Sequence, residues 1–330
     1  MSEKEKMTVL FILLFMLAAG NISAGGNKQV VIDEPLPPLT HVSQFFQVEI
    51  EKTIEPLEQP PVSDRAELVM TALAAAYPRR IERAEFRNGD WAVLLRGTWY
   101  YFADGKLLPE NLLEDAEKYN PQPFYGYPEE LPPWRKPTPE EAALYSELTK
   151  NRSISTSRRS QAFMDDLWRA HNADEAYQRV KTIRLFGREI NVHYAILEDL
   201  SLAEDAVLTL ARSNPQVQTW VNNIGTVHGW NWRKIEDTDA LSLHSYGTAV
   251  DILPKSLGNK ETYWLWAMRK KPDWWNVSYN ERYHPPAAVV KAFESYGFIW
   301  GGKWQSFDTM HFEYRPEILL LNGLELETVR

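Results

Sequence analysis

Residues 241–254 read LSLHSYGTAVDILP and place His244, then Asp251 seven positions on, in a run that is otherwise small and apolar. Asp251 is flanked by Val250, Ile252 and Leu253, the pattern of a buried strand. An unpaired buried carboxylate costs several kcal/mol, so this one needs a counter-charge or a cation. A second apolar run, SFDTMHFEY, supplies His311 with Asp308 three residues ahead of it and Glu313 two behind. Two histidines and a carboxylate are the ligand set of a catalytic divalent cation such as Zn²⁺, which keeps a further position for water. A nearby carboxylate then collects the proton: Asp308, or Glu313, which shares a face with His311 if MHFEY is a strand.

The elements around these residues follow from periodicity. AELVMTALAAAY predicts a helix capped by Ser63 or Asp64 and ended by Pro78. DWAVLLRGTWYYFADGKLLPENLL predicts a hairpin or meander turning at Arg96-Gly97 and Asp104-Gly105, with its aromatics, Trp91, Trp99, Tyr100, Tyr101 and Phe102, read as packing residues. Proline density in NPQPFYGYPEELPPWRKPTP marks a domain boundary. PEEAALYSELTKNR and SRRSQAFMDDLWRAHNADEAYQRV carry helical spacing, KTIRLFGREINVHYAI reads as a strand pair turning at Gly187, and AEDAVLTLARS as a helix. The expected organisation is a leader at 1–24, a linker at 25–61, an α+β module at 62–120, a second linker at 121–138 and a metal-binding domain at 139–330.

Composition narrows the function. Among 330 residues, 44% are hydrophobic and 25% charged, the balance of a folded protein, and 13 Trp, 15 Tyr and 13 Phe make it rich in aromatics. A net charge of −9 without runs of Lys or Arg argues against nucleic acid as a partner. No cysteine is present, which excludes disulfides and any thiolate ligand or nucleophile. Lys4 and Lys6, the apolar run from Val9 to Ala19, and Ile22-Ser23-Ala24 form the pattern of a secretory signal peptide, giving a periplasmic or secreted protein without a membrane span after cleavage.

SLHSYGTAVDI together with GFIWGGKWQSFDTMHFEY resembles the M15-type zinc peptidases, the D-Ala-D-Ala carboxypeptidases and the endolysin-like L-Ala-D-Glu endopeptidases. The resemblance pairs Ser-x-His-x-x-Gly-x-Ala-x-Asp with Asp-x-x-His and covers about the last third of the chain. It implies that His244, Asp251 and His311 bind Zn²⁺ and that Asp308 is the general base. Aspartate where many members carry glutamate leans toward the endopeptidases. Arg233, in WNWRKI, matches an arginine that holds the substrate carboxylate or the developing oxyanion; on spacing alone it pairs equally well with Glu236 or Asp237. Ser242 would precede the ligand face on a strand.

The implied fold is α+β, a small mostly antiparallel sheet with packed helices of the Hedgehog/DD-peptidase type and a cleft over the metal, preceded by the small α+β module. The implied activity is hydrolysis of peptidoglycan stem peptides; the alternative is a non-catalytic cell-wall-binding protein that keeps the fold. His41, His171, His193 and His228 read as solvated or structural, His284 as a candidate lining the cleft, and Trp300 and Trp304 as its walls.

Overall fold

The computed structural model describes residues 62–150, 159–234 and 241–327. The leader at 1–24, the linker at 25–61, His41, Glu236 and Asp237 lie outside the described residues.

Helix α1 (Val62–Ala76) contains Ser63 and Asp64 within its range, and its Val69, Met70 and Leu73 are at most 1% exposed. Pro78 cannot donate a helical hydrogen bond, and the chain leaves the helix just before it. Strands β1 (Ile81–Arg87), β2 (Asp90–Leu95), β3 (Thr98–Tyr101) and β4 (Leu108–Pro109) form an antiparallel meander in that order. The Arg96-Gly97 turn joins β2 to β3 as expected, and α1 packs on β1 and β2. Tyr100, Tyr101 and Phe102 are buried, whereas Trp99 is half-buried under the guanidinium of Arg87, 4.1 Å from its ring centroid.

Residues 121–131, proline-rich and read from sequence as linker, lie as a packed strap. Phe124, Tyr125 and Tyr127 are buried. Asn322 Nδ2 donates to the Tyr125 carbonyl at 3.0 Å, and the Tyr127 amide donates to Asn322 Oδ1 at 2.9 Å. Proline removes amide donors and enforces extended backbone, so such a segment is anchored by its carbonyls and side chains instead of a ladder.

Helices α2 (Pro139–Lys150), α3 (Ala162–Trp168) and α4 (Ala173–Arg179) follow. The single helical pattern expected across α3 and α4 is broken at Arg169, which is left-handed at φ 56°, and restarts where the Asn172 side chain accepts from the Glu175 amide. Strands β5 (Val180–Leu185) and β6 (Arg188–His193) form the hairpin expected at Gly187. Helices α5 (Leu197–Ala211) and α6 (Pro215–Asn222) lead into β7 (Ile224–His228). The remaining elements are α7 (Leu243–Tyr246), β8 (Ala249–Pro254), α8 (Trp264–Lys270), α9 (Ala287–Ser295), β9 (Phe298–Trp300), β10 (His311–Tyr314) and α10 (Pro316–Leu321).

The sheet β7-β8-β10-β9 is antiparallel throughout and carries the site. The fold is α+β with small antiparallel sheets, as the sequence implies. One hydrophobic core runs from Leu73 and Val93 through Tyr125 and Trp168 to Phe312 and Ile318, so the front module and the site-bearing sheet share it. A second cluster, with Trp264, Trp274, Phe307 and Met310, packs beside the Asp308 loop.

Candidate metal centre

Register brings the candidate residues together. Asp251 on β8 lies directly opposite His311 on β10, and His228 at the end of β7 lies opposite Asp251 on its other side. Directly opposed residues in an antiparallel pair share a face, which puts Asp251 and His311 within side-chain reach. His244 arrives from α7, one short turn where the sequence suggests strand. Ser242 is its N-cap, with its hydroxyl accepting from the His244 amide at 3.3 Å, and Gly247 ends it in the left-handed region at φ 71°. Ser242 is therefore a capping residue, not a strand position; four residues are too few for a helical period to show in sequence.

His244, Asp251 and His311 offer one ligand atom each, all within 4.8 Å of one another, and all three side chains are buried. His244 Nδ1 lies 2.6 Å from the Gly229 carbonyl, an acceptor, so Nδ1 carries the proton and Nε2 presents a lone pair. That Nε2 has no hydrogen-bond donor and sits 3.1 Å from Asp251 Oδ2. His311 Nδ1 lies 2.8 Å from Asp251 Oδ1, while its Nε2 lies 3.1 Å from Glu313 Oε2. Glu313 is thus engaged with the far side of the His311 ring, and its other oxygen pairs with Arg315 at 3.6 Å.

Asp308 is 4% exposed, and its Oδ1 has no hydrogen-bond partner. Its place depends on Gly301: the Asp308 amide donates to the Gly301 carbonyl at 3.0 Å, and a Cβ at Gly301 would stand 2.6 Å from the Asp308 carbonyl oxygen. Trp304 lies over the other wall, its ring centroid 5.7 Å from that of His311, with a buried indole N–H that has no acceptor. The candidate ligands are more enclosed than an open cleft implies, with His244 and His311 fully buried and Asp251 3% exposed.

Electrostatics follow from this enclosure. Burial lowers the His244 pKa, against the pull of Asp251, so the ring is neutral. Burial alone would raise that of Asp251, yet the two histidines hold it well below the usual carboxylate range. Burial would also lower that of His311, but its bonds to Asp251 and Glu313 outweigh this and push it up to about 10. Burial, then the charge of Asp251, raises Asp308 well above an ordinary aspartate. The Arg233 charge opposes both the His244 proton and the Asp308 proton. Its backbone is pinned by Ser245, whose hydroxyl accepts from the Arg233 amide and donates to its carbonyl, both at 2.8 Å.

Residues 236–314 match the family model described as D-alanyl-D-alanine carboxypeptidase. This part of the chain is similar to the M15-type peptidases. The match contains His244, Asp251, Asp308, His311 and Glu313, but not Arg233. Residues 69–124 match a domain of unknown function. No curated protein and no solved structure matches the chain.

His171, His193 and His284 are not among the clustered residues. His171 is exposed between Glu175 at 2.9 Å and Asp166 at 3.1 Å. His193 is buried and bonded at both nitrogens, 3.0 Å from the Trp168 carbonyl and 3.1 Å from the Ala195 amide. His284 is exposed and stands edge-on to Trp300, centroids 6.4 Å apart. The Gly229 carbonyl that fixes the His244 tautomer has no signature in the sequence, since a backbone contact leaves no residue-type signal.

Proposed function

We propose that the protein is an exported zinc metallopeptidase that hydrolyses peptide bonds in peptidoglycan stem peptides, of the L-Ala-D-Glu endopeptidase or D-Ala-D-Ala carboxypeptidase kind. The observation that carries this reading is the pair of partnerless buried atoms, His244 Nε2 and Asp308 Oδ1, beside a His-Asp-His cluster confined within 4.8 Å. Such atoms cost free energy unless a ligand engages them. His244 Nε2, an Asp251 oxygen and His311 Nδ1 would hold the cation; the neutral His244 and ionised Asp251 suit it, and His311 would release the Nδ1 proton it shares with Asp251 as the cation binds. A bound Zn²⁺ supplies Lewis acidity, polarising the scissile carbonyl and making water a better nucleophile.

The chain's own residues supply the rest. Asp308 takes a proton from the attacking water as its oxygen bonds to the carbonyl carbon, and returns that proton to the amine as the C–N bond breaks. Its buried setting, which favours the protonated form, lets it hold the proton between these steps. Gly229 and Glu313 fix the two imidazole rings through their far nitrogens. Arg233 is assigned to the substrate carboxylate or the developing oxyanion, a job for a forked donor. The leader at 1–24 is the basis for a periplasmic or secreted location.

The test is digestion of purified peptidoglycan and defined muropeptides by the full chain and by Asp308→Ala, with chelator and with zinc restored, products read by mass. We expect cleavage that chelator stops, zinc restores and Asp308→Ala abolishes. Zinc binding without cleavage of any muropeptide would overturn the peptidase reading in favour of a wall-binding protein.

A further inference from the structure

The buried polar contacts do not stop at the metal centre. His311 Nε2 is 3.1 Å from Glu313 Oε2; Glu313 Oε1 is 3.6 Å from Arg315 Nη1; Arg315 Nε donates to Glu317 Oε1; and the Tyr77 hydroxyl donates to Glu317 Oε2 at 2.6 Å. Every member is at most 5% exposed. Each carboxylate uses one oxygen toward the site and the other away from it, so the contacts form a line, not a knot. Tyr77 is the residue that follows α1, and it belongs to the segment matching the domain of unknown function. Arg315 and Glu317 fall in neither matched segment.

We propose that Tyr77 of the front module is a positioning residue for the metal centre, holding the His311 ring in place through Glu317, Arg315 and Glu313. The inference rests on reading His311 as a metal ligand and goes beyond it by giving the front module a part in the site. Physically, each link constrains the next because none has water to replace a lost partner. Without the Tyr77 hydroxyl, Glu317 Oε2 is a buried charged oxygen without a donor, and the carboxylate turns to recover one. Arg315 is also tied to the Pro123 carbonyl at 3.0 Å, so it follows Glu317 only by loosening its grip on Glu313. Glu313 is what orients His311, and such outer partners govern ligand geometry as well as ring tautomer.

The test compares Tyr77→Phe and Glu317→Gln with Tyr100→Phe in the full chain. Tyr100 is the matched control: it too reaches from the module to a carboxylate, Asp166 at 2.6 Å, but lies off this line. Zinc affinity is read by chelator competition, and the ring nitrogens of the seven histidines by ¹⁵N NMR of the metal-free protein. We expect roughly tenfold weaker zinc binding in Tyr77→Phe and Glu317→Gln, in the range of outer-partner substitutions, and wild-type affinity in Tyr100→Phe. The His311 nitrogens should shift while those of His244 hold. An unmoved His311, or an affinity loss no larger than that of Tyr100→Phe, overturns the proposal. A wild-type chain that binds no zinc sinks the metal reading instead, and the His311 shifts alone then decide whether Tyr77 positions the ring.

Discussion

Asp308 and Glu313 flank His311 in sequence, and their surroundings differ: Asp308 Oδ1 has no hydrogen-bond partner, whereas Glu313 Oε2 lies on His311 Nε2. Asp308→Asn should lower hydrolysis by about 10²–10⁴-fold, the worth of a general base, while zinc stoichiometry measured by equilibrium dialysis stays at wild type. Glu313→Gln keeps an acceptor for His311 Nε2 but removes charge, so it should weaken zinc binding before it touches turnover at saturating zinc. If the two variants lose the same property, the division of labour is wrong. The grouping of His244, Asp251 and His311 was legible in the sequence from residue type and spacing, whereas the choice of Asp308 as base came from the family resemblance. The part of Glu313 was not legible, because sharing a face with His311 serves a base and an orienting partner equally. The decision lies in which nitrogen of His311 turns toward Asp251, a torsion that spacing does not encode. His193 adds a pH effect: burial, then the Arg80 charge, lowers its pKa to about 3 from an unfolded value near 6.5. Its neutral form is the folded one, so its contribution is full above about pH 6.5 and is lost as pH falls toward 3. Urea unfolding across that window should show a slope of up to about 1.4 kcal/mol per pH unit that His193→Gln removes.

At the scale of elements, the site depends on short pieces that neighbours hold in place. The turn bearing His244 has no helical stability of its own at four residues, and rests on Ser242, Gly247 and the Gly229 carbonyl. Strand β10 and the hairpins were readable from alternation and from turn residues, whereas this turn was hidden by its length. The Gly301 corner is the sharpest test. Gly301→Ala pushes a Cβ against the Asp308 carbonyl oxygen, which is backbone and cannot swing aside. We expect at least a tenfold fall in kcat with zinc affinity retained, since the ligands lie on other elements. Loss of zinc and activity together would place the Gly301 corner under the ligands and not under the base.

At the scale of the whole molecule, the front module and the sheet that carries the site share one hydrophobic core, which predicts that they unfold together. The proline-rich strap was legible as extended chain but not as seated chain, because its anchors, Asn322, Arg315 and Lys303, come from more than 170 residues away. A chain starting at residue 139 would expose the surfaces that Phe124, Tyr125 and Tyr127 cover, and should be insoluble or bind a hydrophobic dye. The chain from residue 62 should unfold in one calorimetric transition; two well-separated transitions would refute the shared core. The strap and the Tyr77 contact also bear on how such a chain can be inherited. Arg315 reaches forward to Pro123 and back to Glu313, and Glu317 reaches forward to Tyr77, so a recombination exchanging the front module alone would leave Glu317 Oε2 and one Arg315 N–H without their partners. Exchanging either half of this chain alone should therefore cost stability that exchanging both together does not.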